Sequence, residues 1–264
     1  METYRGCVRP WECDTTEHFT TAFYFNRLGQ ATDRLLGVEH VPRTTDCYVR
    51  YLREFNKGDV FHVDSGCIHS DDHRIVLGHR YVDSATGEVC TLFEQEIERV
   101  EGIDLHDALI PWDEPKREAR EMPPTEAQWL ATAAQIVAPA DVDRSGRLSL
   151  EAIVHCLSTA ALQCQVHMGL TPDFVREQRL GFSTFEFQMT FPSDPPRVGE
   201  GVEAQSAIAH VGKSSVRMVH RLVRVNAGEE IAILSQMGVN LNLDVRRPEA
   251  LPDAVAARAK SLMN

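Results

Sequence analysis

The chain carries an internal repeat, and this repeat constrains its fold more than any other feature. Residues 58–95 align with residues 199–236 without a gap, and an earlier stretch starting at Pro10 aligns with one starting at Pro139. The change of offset between the two alignments gives the second copy about twelve extra residues. Solenoids repeat a unit of about 20–50 residues several times, so two copies of this length predict a duplicated domain of about 120 residues instead. The identical pairs include Asp14/Asp143, Leu28/Leu157, Ala31/Ala160, Gly58/Gly199, Ser65/Ser206, His69/His210, His79/His220, Arg80/Arg221, Gly87/Gly228 and Gln95/Gln236.

Composition excludes several classes of protein. The net charge of −12 argues against nucleic acid as the main partner, because phosphate binding needs a basic surface. No apolar run reaches the roughly 18 residues that cross a bilayer, and residues 1–14 lack the apolar stretch of a signal peptide. The seven cysteines form no CxxC pair, so we expect reduced thiols in a cytoplasmic protein without a metal site.

The clearest boundary between the copies lies at residues 101–128, where charges are dense and Pro111, Pro115, Pro123 and Pro124 interrupt helices and central strands. The sequence therefore predicts a first domain over residues 1–102, a surface linker over 103–128 and a second domain over 129–264.

Each copy shows the same order of predicted elements. A short strand and a loop lead to a long amphipathic helix, over Thr20–Leu36 in the first copy and Ser149–His167 in the second. Strands follow near 47–55, 59–69, 74–83 and 88–99, and near 180–191, 199–210, 214–225 and 230–243; a short helix is predicted over 253–262. This pattern is typical of an α+β fold. Gly29 lies inside the first helix at a cost of about 1 kcal/mol relative to Ala, and we expect close packing against the sheet to explain it.

An acidic residue precedes each long helix by about six positions, Asp14 in the first copy and Asp143 in the second. The unpaired amides at a helix N-terminus carry a partial positive charge of roughly +0.5, which can hold a developing oxyanion. A carboxylate beside such a site can attack or activate water, so the loop has the parts needed to hydrolyse an activated acyl group.

The first loop resembles that of the hotdog-fold acyl-CoA thioesterases of the 4-hydroxybenzoyl-CoA type. The resemblance rests on Glu12-Cys13-Asp14, His18, Tyr24 and Lys57-Gly58-Asp59 in the first copy, and on Asp141-Val142-Asp143 and Gly146 in the second. It implies a double hotdog, in which each of two long central helices is wrapped by an antiparallel sheet. It places Asp14 at the family's catalytic acid and His18 at its loop histidine, and makes Asp143 the second candidate.

The loops also depart from the family pattern. Glu17 replaces the usual glycine, Thr20 and Thr21 replace asparagines, and Arg147 stands in the second copy where the first has His18. Arg147 either pairs with Asp143 and silences that site or binds a ligand phosphate. Which copy is catalytic stays open, and the expected substrate-binding residues are Thr20, Thr21, Tyr24, Arg147 and Ser149.

Each candidate also has a purely structural interpretation. An Asp before a helix usually stabilises the loop or the helix start, and His18 is equally suited to a structural hydrogen bond. The paired strand histidines, His69/His210 and His79/His220, are expected in the core or at an interface, and residues 69–73 as a polar hairpin turn instead of a metal site. A nucleophilic role for Cys13 is disfavoured because its counterpart is Val142.

The functional hypothesis is hydrolysis of an acyl-CoA or acyl carrier protein thioester to free acid and thiol. It needs no cofactor beyond coenzyme A as part of the substrate. The acyl chain would lie between the two copies, with Arg9, Arg27, Arg147 and Lys213 as candidates for the coenzyme phosphates. The alternatives are a hotdog enoyl-thioester hydratase or dehydratase, and a non-catalytic protein that binds acyl thioesters. A fused pair supplies its own interface, so we expect a monomer or a homodimer of such chains.

Overall fold

The computed structural model describes residues 1–14, 16–37, 42–99, 102–103, 105–114, 116–123 and 127–263. Each copy contains one strand, a short 3-10 turn, a long helix and four long strands, and the second copy adds two short helices and a two-residue strand. The first copy comprises β1 (Glu2–Cys7), α1 (Thr21–Leu36), β2 (Thr44–Tyr51), β3 (Val60–Ser70), β4 (Arg74–Asp83) and β5 (Val89–Glu98). The second comprises β6 (Leu130–Ile136), α2 (Leu150–Met168), α3 (Pro172–Gln178), β7 (Leu180–Thr190), β8 (Gly201–Val211), β9 (Ser215–Arg224), β10 (Glu230–Asn242), β11 (Arg247–Pro248) and α4 (Asp253–Ser261).

The strands of both copies form one antiparallel sheet, and the fold is α+β as predicted. The strand order is β1-β3-β4-β5-β2-β7-β10-β9-β8-β6, with β11 paired to β10. The copies join where β2 pairs with β7, Asp46 lying opposite Thr190 and Arg50 opposite Glu186. This pairing removes an exposed strand edge from each copy, which addresses the tendency of open edges to aggregate.

The long helices pack against the sheet and against each other. Leu28 of α1 and Leu157 of α2, which are equivalent in the repeat, are both fully buried. The first helix is capped at its C-terminus by Gly37, whose left-handed φ of 59° suits glycine. The second is capped at its N-terminus by Ser149, which accepts a hydrogen bond from the Ala152 amide. Burial of both apolar helix faces against one sheet makes a main core cluster that contains residues of both copies, beside two smaller clusters.

Most predicted elements lie within a few residues of their observed ends, and the main miss is α3. This helix and an α2 of 19 residues, against 16 in α1, account for the extra length of the second copy. A helix of seven residues spans only two turns, which is too short for hydrophobic periodicity to predict it from the sequence.

The described part of the segment between the copies lies across the outer face of the sheet. Trp112 Nε1 donates to Glu94 at 2.7 Å, Arg117 to Asp46 at 2.5 Å and Arg120 to Glu186 at 3.0 Å. A Cβ on Gly78 would meet the Trp112 ring at 2.6 Å, so glycine is required there for the close approach. The surface position agrees with the expectation for a linker, while the predicted bounds of the two domains stay a prediction. None of the helices in the described ranges has the length and apolar character needed to span a membrane.

Candidate active site

The loops before α1 and α2 are built alike around their aspartates. Oδ1 of Asp14 accepts from the Thr16 amide at 2.8 Å and the Thr16 hydroxyl at 2.6 Å, and Asp143 makes the same two contacts with Ser145 at the same distances. A third donor, the amide of His18 or Arg147, lies 3.3 Å away. One carboxylate oxygen therefore shapes each loop, which gives the repeated aspartate a structural reason to recur.

The loops differ in the residue that takes the left-handed backbone conformation. Glu17 has φ of 67° where Gly146 has φ of 76°. A residue with a Cβ pays a steric cost in this region of about 1 kcal/mol, whereas glycine does not. The departure at Glu17 thus carries backbone strain.

A small cavity of about 60 Å³ lies beside the Asp14 loop, and an ionic cluster borders it. Nε2 of His18 lies 2.9 Å from Glu54, and the Arg246 guanidinium contacts the same imidazole while Ser183 donates to Glu54. Burial would raise the pKa of Glu54, but the hydrogen bonds from His18 and Ser183 hold it below its ordinary value. These groups satisfy one another and leave little room for an acyl group.

The other residues expected to bind substrate in the first copy are engaged within the protein. The Thr20 amide donates to Glu12 O at 2.8 Å, and the Thr21 hydroxyl lies 3.2 Å from that of Ser158 in α2. Tyr24 is 2% exposed, its hydroxyl accepts from the Phe55 amide at 3.5 Å, and burial raises its pKa above the ordinary value. The Thr20 amide is therefore not available to polarise a carbonyl.

A larger cavity of about 300 Å³ lies between the Asp143 loop and the helix of the other copy. Its size is at the lower end of ordinary small-molecule sites. Its apolar wall includes Phe25, Val142, Leu148, Leu150 and Phe191, and its polar groups include Asp33, Thr44, Gln95, Asp143, Arg144 and Glu151. The cavity thus draws residues from both copies.

The start of α2 forms one side of this cavity through Leu150 and Glu151. Among the described residues, no acceptor is bonded to the amide of either one, as expected for the first turn of a helix. The Ser149 amide donates to Asp141 O at 2.9 Å, and its hydroxyl caps the helix. The amides of Leu150 and Glu151 are therefore the donors that a ligand oxygen would meet.

Gly29 also lines the large cavity, which corrects our expectation for this residue. A Cβ added at Gly29 would meet no atom within 4 Å, so close packing against the sheet is not the reason for glycine. The equivalent position in α2 is Ser158, whose hydroxyl approaches Thr21 beside the smaller cavity. Glycine in α1 leaves more free space at the large cavity than serine leaves in α2 near the smaller cavity.

Asp33 is the carboxylate that the sequence analysis missed. Its side chain forms a 2.6 Å ion pair with Arg144 across the cavity. Burial raises the pKa of Asp33 above its ordinary value, Arg144 opposes this shift, and the neighbouring charge of Asp143 adds to it. One signal could have found it, since an acidic residue in the last turn of a helix is unfavourable to the helix dipole.

Gln95, buried in the wall of the cavity, is held by hydroxyl groups. Thr32 donates to its Oε1 at 2.7 Å, and its Nε2 donates to the Thr44 hydroxyl at 2.8 Å. In the second copy Gln236 makes the matching bond to Thr184 at 2.6 Å. The identity of Gln95 and Gln236 was visible in the repeat but suggested no role by itself.

The basic residues predicted to meet phosphates fall in different places. Arg147 lines the large cavity, and its guanidinium makes no ion pair with Asp143 or any other described carboxylate, so the silencing pair is not formed. Arg27 is paired with Glu12 and stacks over Tyr4 at 5.5 Å. Arg9 stacks on Trp11 at 5.9 Å, and neither Arg9 nor Lys213 lines either cavity.

Comparison with known families agrees with the duplication. The model of the Thioesterase-like superfamily matches residues 8–130 and again residues 137–259. The chain belongs to the thioesterase-like superfamily. A search of curated protein sequences finds no match.

Solved thioesterase structures share the fold of this superfamily member. An acyl-ACP thioesterase from Bacteroides thetaiotaomicron VPI-5482 superposes with a TM-score of 0.66 at 14% identity, covering 89% of this chain and 96% of that one. A putative oleoyl thioesterase from Lactobacillus plantarum gives 0.66 at 12% identity, covering 90% and 95%. A 12:0-ACP thioesterase from Umbellularia californica gives 0.62 at 14% identity, covering 90% and 94%. At these identities the likeness shows the fold alone.

The described residues contain no group of three or more His, Cys, Asp or Glu side chains placed to hold a metal ion. All seven cysteines are free thiols, and burial raises the pKa of Cys13, which leaves it a poorer nucleophile.

His79 and His220 are fully buried, as expected for core histidines. His69, near the end of β3, is exposed and therefore not a core histidine, and it pairs with Asp71 at 3.0 Å in the polar turn before β4.

Proposed function

We propose that this double-hotdog chain hydrolyses acyl thioesters to free acid and thiol in the large cavity between its two copies. The observation that carries the proposal is the composition of this cavity, which combines an apolar wall, a partly buried carboxylate and the unpaired amides of a helix start. Membership of the thioesterase-like superfamily and the fold shared with acyl-ACP thioesterases support the same activity.

In this proposal Asp33 is the general base. A carboxyl group with a raised pKa is a better proton acceptor than an ordinary aspartate, and the charge of Arg144 limits how far burial raises the pKa of Asp33. Asp33 takes a proton from water as the water oxygen attacks the thioester carbonyl carbon. The tetrahedral intermediate then expels the thiolate, which recovers the proton from Asp33.

The amides of Leu150 and Glu151 would hold the oxyanion of that intermediate. They lie at the positive end of the α2 dipole, and each such donor is typically worth about 10²–10³ in rate. The acyl chain would lie along the apolar wall beside Phe25 and the open space at Gly29.

Asp143 is the alternative carboxylate at the same cavity. Its Oδ1 is used within the loop, while no described residue donates to its Oδ2, so this oxygen could attack the thioester and form a transient anhydride. Asp14 and His18 stay predicted catalytic residues only for a second site, beside the smaller cavity. Hydrolysis in the large cavity does not require them.

The carrier of the acyl group would be coenzyme A or an acyl carrier protein, and Arg147 is the candidate for a carrier phosphate. Its unpaired guanidinium lines the cavity in a chain whose overall charge is −12. Residence in the cytoplasm and a monomeric or dimeric state stay predictions.

The test is an acyl-CoA panel of increasing chain length, assayed in parallel for thiol release and for hydration of an enoyl thioester. Thiol release is the expected result. Hydration without thiol release would favour the hydratase alternative, and calorimetric binding without either reaction would favour a non-catalytic binding protein.

A further inference from the structure

A series of hydrogen-bonded side chains leads from the loop before α1 to the large cavity. Glu12 in that loop is buried and accepts from the Arg9 amide at 2.8 Å. The Arg27 guanidinium donates to Glu12 and also to Oδ1 of Asn26, the residue before it in α1. Because Asn26 lines the large cavity, this series connects the loop of the first copy with the proposed site.

The hydrogen bonds of Asn26 fix the orientation of its amide. Oδ1 accepts from Arg27 and, at 2.7 Å, from Gln30 one turn later in α1. Nδ2 donates to the Glu151 carboxylate of α2 at 2.5 Å. If the amide turned over, its NH₂ group would face two donors and its oxygen would face a carboxylate. The NH₂ end is therefore held towards the start of α2.

One of the two hydrogens on Nδ2 of Asn26 has no acceptor within the described part of the chain. A side-chain amide nitrogen carries two hydrogens, and Glu151 accepts one of them. No other described residue accepts from this nitrogen. Since Asn26 lines the large cavity, its second hydrogen is available to a ligand there.

Glu151 anchors Asn26 as an ionised carboxylate. Burial would raise the pKa of Glu151, but the hydrogen bonds from His155 and Asn26 and the charge of Arg27 hold it below its ordinary value. Such a group is a weak base near neutral pH and a strong hydrogen-bond acceptor. It keeps the Asn26 amide beside the residue whose own backbone amide is a proposed oxyanion donor.

The second copy does not repeat this arrangement. The residues aligned with Asn26 and Arg27 are His155 and Cys156. Cys156 is buried and has no charged group with which to orient its neighbour, and the His155 ring packs edge-on against Phe23 at 5.3 Å. An amide held by arginine is thus not a requirement of the fold, and in the first copy it lies at the large cavity.

We propose that Asn26 is a catalytic residue that donates its second Nδ2 hydrogen to the thioester carbonyl oxygen, and that Arg27 positions it. The first copy would then supply one donor and the second copy two, the amides of Leu150 and Glu151. As water attacks, the π electron pair of the carbonyl moves onto its oxygen, and the Asn26 N–H stabilises this charge without losing its proton. The carbonyl forms again when the thiolate leaves. This inference rests on the proposed function.

The first test measures kcat and KM for thiol release in Asn26→Leu, which keeps the approximate size of the side chain and removes the donor. We expect kcat to fall by about 10²-fold and KM to change by less than about threefold, since the charge develops only in the transition state. Asn56→Leu, at an exposed residue that lines neither cavity, is the control and should keep kcat within about twofold of the parent.

The role of Arg27 is tested in the background of Asn26→Leu. Arg27→Met alone should lower kcat by about tenfold, because the Asn26 amide is then free to turn. The double variant should be no slower than Asn26→Leu, and Arg27→Lys should retain more of the parent kcat than Arg27→Met. Losses that multiply in the double variant would show that Arg27 does not act through Asn26.

A second test does not need turnover and uses two unreactive analogues of an acyl-CoA. One is a ketone with CH₂ in place of the sulfur, and the other is a thioether without the carbonyl oxygen. Calorimetry should show that the parent binds the ketone about three- to tenfold more tightly than the thioether. Asn26→Leu should bind both within about twofold of each other.

A kcat within about twofold of the parent in Asn26→Leu would overturn the inference and leave the proposed function intact. So would a preference for the ketone that persists unchanged in this variant. A parent that releases no thiol, but whose preference for the ketone depends on Asn26, would refute hydrolysis and keep Asn26 as the donor to the carbonyl. If Asn26→Leu does not fold, Asn26→Ala takes its place with the same expected losses.

Discussion

Asp33 in the last turn of α1 and Arg144 in the loop before α2 form a 2.6 Å ion pair across the large cavity. This pair joins the two copies at the point where the reaction is proposed. The aspartates predicted from the repeat are Asp14 and Asp143. Each instead uses one carboxylate oxygen to accept hydrogen bonds within its own loop.

Replacing Arg144 by Gln should move the pH dependence of the reaction. Arg144 opposes the rise in the pKa of Asp33, so its removal lets that pKa rise further. A general base must be ionised, and the acid limb of kcat/KM should therefore shift to higher pH. The pH profile of Arg144→Gln against that of the parent checks this, with Arg246→Gln beside the smaller cavity as the control. If the acid limb lies at the same pH in Arg144→Gln as in the parent, the charge of Arg144 does not influence the ionisation that controls the rate.

Exchanging the left-handed residues of the two loops should change stability in opposite directions. Glu17→Gly should raise the free energy of unfolding by about 1 kcal/mol, because glycine adopts a φ of 67° without steric cost. Gly146→Ala should lower it by about 1 kcal/mol, since its φ is 76°. Urea unfolding of both variants measures the two effects. A loss of stability in Glu17→Gly would mean that contacts of the Glu17 side chain stabilise the fold by more than its left-handed backbone conformation destabilises it.

Substitutions at Gly29 should separate helix stability from space for the substrate. Gly29→Ala should stabilise the protein by about 0.5–1 kcal/mol, because the added Cβ meets no atom within 4 Å and alanine favours the helix. Gly29→Phe should fill the cavity and lower kcat/KM more for long acyl chains than for short ones. The chain-length profile measures this, with Ser158→Phe at the equivalent position of α2 as the control. An equal loss for all chain lengths would place the acyl chain elsewhere.

The two buried histidines should make the fold sensitive to acid. Burial lowers the pKa of His79 to about 3 and that of His220 to about 4, against an ordinary value near 6.5. The unfolded chain therefore binds protons first, and stability falls as the pH drops from about 6.5 towards 4. At pH 4.5 each histidine should cost about 2–3 kcal/mol relative to pH 7. Urea unfolding of His79→Gln and His220→Gln should show a shallower pH dependence than the parent. A dependence as steep as that of the parent would mean that other groups cause the acid sensitivity.

The sequence predicted the architecture well because the repeat and the helical periodicity are strong signals. It pointed to Asp143 and Ser149, which the fold does place beside the large cavity. It missed Asp33, whose sign was an acidic residue in the last helical turn with no equivalent in the second helix to reinforce it. It also missed Thr44, which lies just outside the predicted strand. The role of Gly29 depends on the space between the two copies, and a local sequence pattern does not predict such a space.

In the proposed reaction Asp33 in the large cavity activates the attacking water, and Asp33→Asn removes this base while keeping the size of the side chain. Thiol release from an acyl-CoA that the parent hydrolyses should fall by about 10²–10⁴-fold, because a general base is lost. Glu54→Gln, which removes the carboxylate beside the smaller cavity, should stay within about threefold of the parent. Both proteins should first show parent-like circular dichroism. An Asp33→Asn variant that retains more than about a tenth of the parent rate would show that Asp33 is not the general base.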